Sequence, residues 1–196
     1  MKMAETREKL IGGTIHVIAR EGLDKATTKY ISQYTNVNET YIYRCFEGKE
    51  DMYVKAFEKL ERELVDVLIE NLYVMKLDEL DNRQKYRLIF SRVWRFLLGN
   101  EEKCKCYVRY YYSQYFKKNS YRNHLKSFET VVDIMAQTFE KDTNVWMLLS
   151  HIMSVMLDFS IKVYNGFVED GDETEEMLFG LLFSSLEQYF KKSEER

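Results

Sequence analysis

No proline occurs anywhere in the 196 residues of this chain. Proline removes a backbone donor and wedges a helix open, so without it helices can run on until glycine, asparagine or aspartate stops them. The period of the apolar residues uses that freedom. From Met52, apolar side chains return at Ala56, Leu60, Leu64 and Val67 while Glu58, Glu61 and Asp66 face out, which predicts a long amphipathic helix. Asp81 and Gln84 form a capping-box pattern, and Leu88, Phe90, Val93, Trp94 and Leu97 then run to a stop at Gly99. Asn100 restarts a helix with Glu101 and Glu102 at its electropositive end, carrying Tyr107, Tyr110, Tyr111, Tyr112, Tyr115 and Phe116 until Lys117 to Ser120 break it.

Leu125, Phe128, Val131, Val132, Met135 and Phe139 define the next helix. Asp142 or Thr143 can cap one carrying Val145, Leu149, Ile152, Met156, Phe159 and Val163. Asp172 with Glu175 reads as a second capping box, opening a helix with Met177, Leu178, Leu181, Leu182, Leu186 and Tyr189. No segment reads as a strand, and the fold class is all-α.

Composition bounds the function. A hydrophobic share of 45% is ample for a core, and a net charge of −3 excludes a polycation that coats nucleic acid indiscriminately, so any basic function must be local. Cys45, Cys104 and Cys106 match no zinc ligand set, and His16, His124 and His151 lie far apart, so neither a metal nor a cofactor is expected. No phosphate loop, nucleophile elbow or marked acid pair occurs, and enzyme activity is not expected. No secretory signal opens the chain, and its most apolar stretch, Val145 to Val163, is interrupted by Ser150, His151 and Asp158. The expectation is a cytoplasmic protein with no membrane segment.

The last two helices are apolar on more than one face, since Trp146, Met147, Leu148, Met153, Val155, Phe179 and Phe183 lie off the stripes just named. A helix apolar nearly all round must be buried on two sides. With Gly180, Ser184 and Ser185 allowing close approach, this predicts a homodimer, with Leu149, Ile152, Met156, Phe159, Leu178, Leu182, Ser185 and Tyr189 at its interface.

The first fifty residues hold shorter helices. Glu5 to Arg20 carry Leu10, Ile11, Ile15 and Ile18 at helical spacing and end at Gly22; Thr27 or Thr28 can cap a second helix, Lys29 to Tyr34. In the turn Thr35-Asn36-Val37-Asn38, Asn36 tolerates a left-handed backbone, Val37 can plug the core, and Asn38 can cap a third helix. Helix, short turn and helix make a DNA-reading unit.

The string TTKYISQYTNVNETYIYRCFEGKEDM, with Gly22 before it, resembles the TetR family of bacterial transcriptional regulators, and the helical order of the whole chain resembles that family more loosely. The family's pattern falls on Thr27, Ile31-Ser32, Asn36-Val37-Asn38, Ile42-Tyr43, Phe46 and Lys49-Glu50. Ser32 and Thr35 stand where alanine is usual, Asn36 where glycine is, and Thr14 where a small alanine is common.

The resemblance implies a helix-turn-helix DNA-binding domain over 1–48 and a larger helical effector-binding and dimerisation domain over 49–196. Its partners would be double-stranded operator DNA, a small-molecule effector and a second copy of the chain. Asn38, Glu39, Thr40, Tyr41 and Arg44 would face base edges, with Arg44 suited to guanine, and Ile42, Cys45 and Phe46 would turn inward. Tyr43 and Lys49 would hold phosphates, helped by Thr27, Thr28 and Lys29.

Phe90, Trp94, Tyr107, Tyr110, Tyr111, Phe128 and Met135 lie on the middle helices, where the family encloses an apolar or aromatic ligand that relieves repression. Met75, Met135, Met147, Met153 and Met156 would suit such a cavity, and Arg109 within the tyrosine run would anchor a carboxylate or form a surface ion pair. Against tight binding stands the charge of the first fifty residues, where eight Lys and Arg face seven Asp and Glu. That balance keeps open a helical dimeric protein-interaction module without specific DNA binding.

Overall fold

The computed structural model describes residues 3–191; Lys2, counted among the basic residues above, lies outside them. The described helices are α1 (Met3–Glu21), α2 (Thr28–Thr35), α3 (Ile42–Cys45), α4 (Lys49–Asn71), α5 (Asn82–Leu98) and α6 (Glu101–Tyr111). They continue with α7 (Gln114–Asn119), α8 (Tyr121–Ser127), α9 (Glu129–Ala136), α10 (Val145–Tyr164) and α11 (Asp172–Glu187). Single 3-10 turns precede α3 at Glu39–Tyr41 and follow α4 at Leu72–Lys76. No strand occurs among the described residues, where an isolated antiparallel bridge joins Phe139 to Phe190. The all-α reading holds.

The chain divides into two compact units: residues up to Glu63 with Asn100–Lys126, and Leu64–Gly99 with the described residues from Ser127 on. In the first, α1 packs against α2 and α6. Gly22 ends α1 at φ 88°, and the Arg109 guanidinium donates to the Ile18 carbonyl at 2.9 Å, placing a cation on the electronegative end of that helix. Tyr53 on α4 is buried and donates to the carbonyl of Ala26 at 2.6 Å, pinning the loop before α2; burial pushes its phenol up to about 12.

Gly13 explains an approach that the apolar pattern alone does not reveal. A Cβ there would lie 2.1 Å from the Thr35 methyl, so α1 and α2 meet where one residue has no side chain and the other is a threonine in place of the usual alanine. We expect Gly13→Ala to destabilise the protein by about 1–3 kcal/mol through overpacking, despite alanine's better helix propensity. Gly13→Ala with Thr35→Ala should recover most of the loss in denaturant titrations. Equal destabilisation in the single and double variants would contradict this packing.

Several helix boundaries depart from the reading of the sequence. The aromatic helix does not run to Phe116: the Ser113 N–H and hydroxyl both donate to the Tyr110 carbonyl, at 2.9 and 2.6 Å, which ends α6 and restarts the chain as α7 through Lys117. That turn brings the Phe116 ring within 5.5 Å of Phe57, whose ring also meets Tyr107 and Tyr110 at 4.8 Å. Phe128, at φ −92° and ψ −2°, splits the helix expected over 125–139 into α8 and α9.

Asn144, not Asp142 or Thr143, caps α10, its Oδ1 accepting from the Met147 N–H at 3.0 Å. The second capping box does not form either. Asp172 already lies inside α11, and Glu175 instead accepts from Arg87 of α5 at 2.7 Å, while the box at Asp81 and Gln84 is present.

Glu61 is the largest reversal. Expected on the outer face of α4, it is buried in the first unit, where His124 Nδ1 lies 2.5 Å from its Oε1 among Phe57, Phe116 and Tyr111. A stripe computed for one face of α4 cannot foresee a histidine arriving 63 residues later.

In the second unit α5 packs against α10 and α11, and α9 against α10. The α10 helix, at 20 residues and a mean hydropathy of 1.3 over its most apolar window, is long and apolar enough to cross a membrane by composition alone. The polar interruptions therefore do not exclude a span as the sequence reading supposed. Its packing against α5 and α9 makes it a core helix of this unit, yet only 28% of that window is buried within the chain.

Candidate nucleic-acid interface and an apolar cavity

The segment from Thr27 to Lys49 folds locally as its residue types dictate. Thr27 Oγ1 accepts the Tyr30 N–H at 3.1 Å and so caps α2. Asn36 takes the left-handed conformation at φ 50°, Val37 is buried as the plug of the turn, and Asn38 Oδ1 accepts the Thr40 N–H at 2.9 Å. Ile42 and Phe46 are buried and Cys45 half-buried, which fixes α3 by its inner face.

The ten residues expected to meet DNA are all on the outside of this unit. Thr27, Lys29, Asn38, Thr40, Tyr41, Tyr43, Arg44 and Lys49 are exposed, Tyr43 at 62%, while Thr28 and Glu39 are half-buried. Those two are joined: the Thr28 hydroxyl donates to Glu39 Oε1 at 2.6 Å, which ties the start of α2 to the start of the recognition segment. The Arg44 guanidinium lies 5.3 Å from the Tyr41 ring, a cation–π contact that preorders it.

Two residues on this surface escaped the sequence reading. Tyr30 and Tyr34 are exposed on α2, and Tyr34 stacks on His16 at 4.3 Å. Their i, i+4 spacing, which sets two tyrosines on one flank of the helix, was the available signal.

Charge on the unit is partly consumed internally. Lys25 pairs with Glu21 and Arg20 with Glu102, at 2.8 and 2.9 Å. Glu50 is held below its usual range by hydrogen bonds from Lys118 and Asn119. Lys29, Arg44 and Lys49 remain exposed along the helix-turn-helix. Among the described residues no three His, Cys, Asp or Glu side chains gather as a metal site requires. Burial pushes the Cys106 thiol above its ordinary range, which disfavours the reactive thiolate.

The residues nominated for a ligand pocket separate. Phe90 and Met135 line a cavity in the second unit, with about 60 Å³ of free space among α5, α9, α10 and α11. Trp94 and Phe128 are buried in that unit without being among the lining residues. Tyr107, Tyr110 and Tyr111 belong to the first unit and pack around Phe57 and Phe116, because α6 folds onto α1. Tyr86, which was not nominated, is also among the lining residues.

The nominated dimer residues also divide. Leu149, Met156, Leu178 and Leu182 are buried within the chain itself, and Leu149, Met156 and Leu182 line the cavity. That is a correction: the most regular apolar stripe of each helix is its core face. Ile152, Phe159 and Ser185 are half-buried, and Tyr189 is exposed. The outward apolar residues on these helices are Met147, Met177 and Leu181, at 65%, 63% and 63%, and a half-buried row runs Leu148, Ile152, Val155 and Phe159 along α10.

No family model matches the chain. It resembles a TetR family transcription regulator from Marinobacter aquaeolei VT8 with a TM-score of 0.78 at 15% identity, over 94% of this chain and 98% of that one. The fatty acid degradation regulator FadR from Bacillus halodurans matches with a TM-score of 0.73 at 15% identity, over 95% and 99%. The multidrug binding protein EbrR, solved with imidazole, gives 0.70 at 14%, over 96% and 97%.

In sequence, 127 residues are 21% identical to the negative transcriptional regulator IcaR of the biofilm operon icaADBC from Staphylococcus epidermidis, a span of 64% of each chain. The chain therefore has the fold of the TetR-family transcription regulators, as its helix-turn-helix motif implied.

Proposed function

We propose that this protein is a sequence-specific DNA-binding transcriptional regulator, a repressor that lets go of its operator when a small, largely apolar molecule binds. Residues 1–48 read double-stranded DNA, and residues 49–196 bind the effector and a second copy of the chain. The observation that carries this reading is the helix-turn-helix itself. Its inner face is anchored by Ile42 and Phe46, and Asn38, Thr40, Tyr41, Tyr43 and Arg44 stand exposed on the other side. The fold shared with known regulators supports it, as does the description of IcaR as a negative regulator.

Tyr43 and Lys49 fix the protein on the phosphates, and Arg44 selects a base. The test is a titration of labelled DNA from upstream of the protein's own gene against scrambled competitor at several salt concentrations. Specific binding that weakens with salt supports the reading. Binding no tighter than to scrambled DNA, there and after selection from random sequences, overturns it in favour of a protein-interaction module.

The dimer would form through the outer surfaces of α10 and α11, where Met147, Phe159, Leu181 and Ser185 lie, rather than through their core stripes. Half-buried Leu148, Val155 and Phe159 on α10, the exposed Met147, Met177 and Leu181, and an α10 window that is only 28% buried support it. Leu181→Glu would bury a carboxylate at that surface and should weaken dimerisation by about 3 kcal/mol, more than a hundredfold. Sedimentation equilibrium reads this directly. A native protein that sediments as a monomer at micromolar concentration would contradict the dimer.

A further inference from the structure

The cavity of the second unit carries one discordant group. Its lining is apolar apart from Tyr86, with Leu72, Phe90, Met135, Met153, Met156 and Phe183 among the walls. The Tyr86 side chain is buried, at 8% exposure, and its hydroxyl finds no hydrogen-bond partner among the described residues. Burial raises the phenol far above its usual range. The Thr138 hydroxyl works against that shift, but it forms no hydrogen bond with Tyr86 in this geometry, and its own proton goes to the Met135 carbonyl at 3.0 Å. A buried hydroxyl without a partner is a standing cost that any acceptor brought into the cavity would relieve.

We propose that this cavity binds a neutral amphiphile, an aliphatic or aromatic body carrying a single oxygen of the alcohol type, and that Tyr86 Oη donates its hydrogen bond to that oxygen. This rests on reading the cavity as the effector site. No Lys, Arg or His is among the lining residues, and Arg83 and Arg87 meet the rings of Phe90, Phe179 and Phe183, so a carboxylate would enter without a direct counter-ion.

The size of the cavity adds a regulatory consequence. At about 60 Å³ it is smaller than the roughly 150 Å³ dry cavity that accommodates benzene. A ligand of this class therefore binds only an enlarged form, reached by repacking Met135, Met153 and Met156. Preference for one form over another is what a ligand needs in order to shift an equilibrium.

The experiment uses the full chain without DNA, the primary alcohols from 1-butanol to 1-octanol, and the matching carboxylates at neutral pH. Thermal unfolding and calorimetric titration are run on the native protein and on Tyr86→Phe. Without any probe, Tyr86→Phe should unfold at a higher temperature than the native protein, because it deletes the orphaned hydroxyl and keeps the ring. Alcohols should give a saturable rise in melting temperature in the native protein, bind roughly fivefold more weakly to Tyr86→Phe, and outcompete the carboxylates by at least about tenfold.

A lower melting temperature for unliganded Tyr86→Phe would mean the hydroxyl is already satisfied, and would overturn the proposal. So would carboxylates binding as well as alcohols, or no saturable alcohol binding at all. Alcohol binding by a protein that recognises no DNA would remove the regulator and leave this site standing. Operator binding by a protein that shows no saturable alcohol binding would do the reverse.

Discussion

Glu61→Leu is expected to destabilise the protein by about 3 kcal/mol or more. The substitution preserves bulk but leaves His124 buried in an aromatic pocket without the carboxylate 2.5 Å away. Removing one partner of a buried polar pair costs far more than the pair contributes when intact, since the survivor keeps its desolvation penalty. Glu61→Gln retains an acceptor and should lose only about 1 kcal/mol. Urea unfolding of the three proteins measures the ordering. A loss below about 1 kcal/mol for Glu61→Leu would show that the pair is not shut away from water as described.

Arg44→Ala should produce the largest change in DNA binding, about 1–3 kcal/mol, together with loss of preference at one base pair of each half-site. Its guanidinium is exposed at the end of α3 and steadied by the Tyr41 ring. Lys49→Ala and Tyr43→Ala should instead weaken binding to every sequence alike. If Lys29 and Lys49 are the phosphate cations, a dimer would neutralise about four phosphates, which corresponds to a slope of log affinity against log salt of roughly −4. Lys49→Ala should flatten that slope by about 2, whereas Tyr43→Ala leaves it unchanged because tyrosine carries no charge. Gel-shift or anisotropy titrations with the preferred site and single-base variants separate the two behaviours. Uniform weakening by Arg44→Ala, with base preference intact, would move Arg44 to the backbone-contacting group.

What the sequence disclosed was what short-range physics determines. The caps at Thr27, Asn38 and Asp81, the left-handed Asn36 and the buried Val37 each depend on a few neighbouring residues, and each stands where it was read. The cap of α10 at Asn144 and the break at Ser113 are local misreadings, while the larger errors lie where partners come from far along the chain. Glu175 leaves its expected cap because Arg87, 88 residues earlier, draws its carboxylate; the Arg87 and Arg83 guanidiniums also lie over the Phe179 ring at 5.3 Å. Glu61 turns inward to His124, and Thr35 is accommodated only because Gly13 lacks a side chain.

The residues nominated for a ligand pocket divide between the two units for the same reason. Aromatic residues on adjacent helices look equivalent in a sequence, but α5 and α6 belong to different compact units, so Phe90 lines the cavity and Tyr107 does not. The dimer stripes failed because hydrophobic periodicity identifies the best-buried face of a helix, and in α10 and α11 that face is the chain's own core.

The most direct test of the central claim is selection from a random library of duplex DNA by the purified protein, followed by titration of the enriched sequence. Enrichment of a single pseudo-palindromic site is expected, bound at least about a thousandfold more tightly than unselected DNA and lost when Arg44 is replaced. Failure to enrich any sequence over successive rounds, with binding no stronger than to random duplex, would contradict a DNA-reading role for this helix-turn-helix.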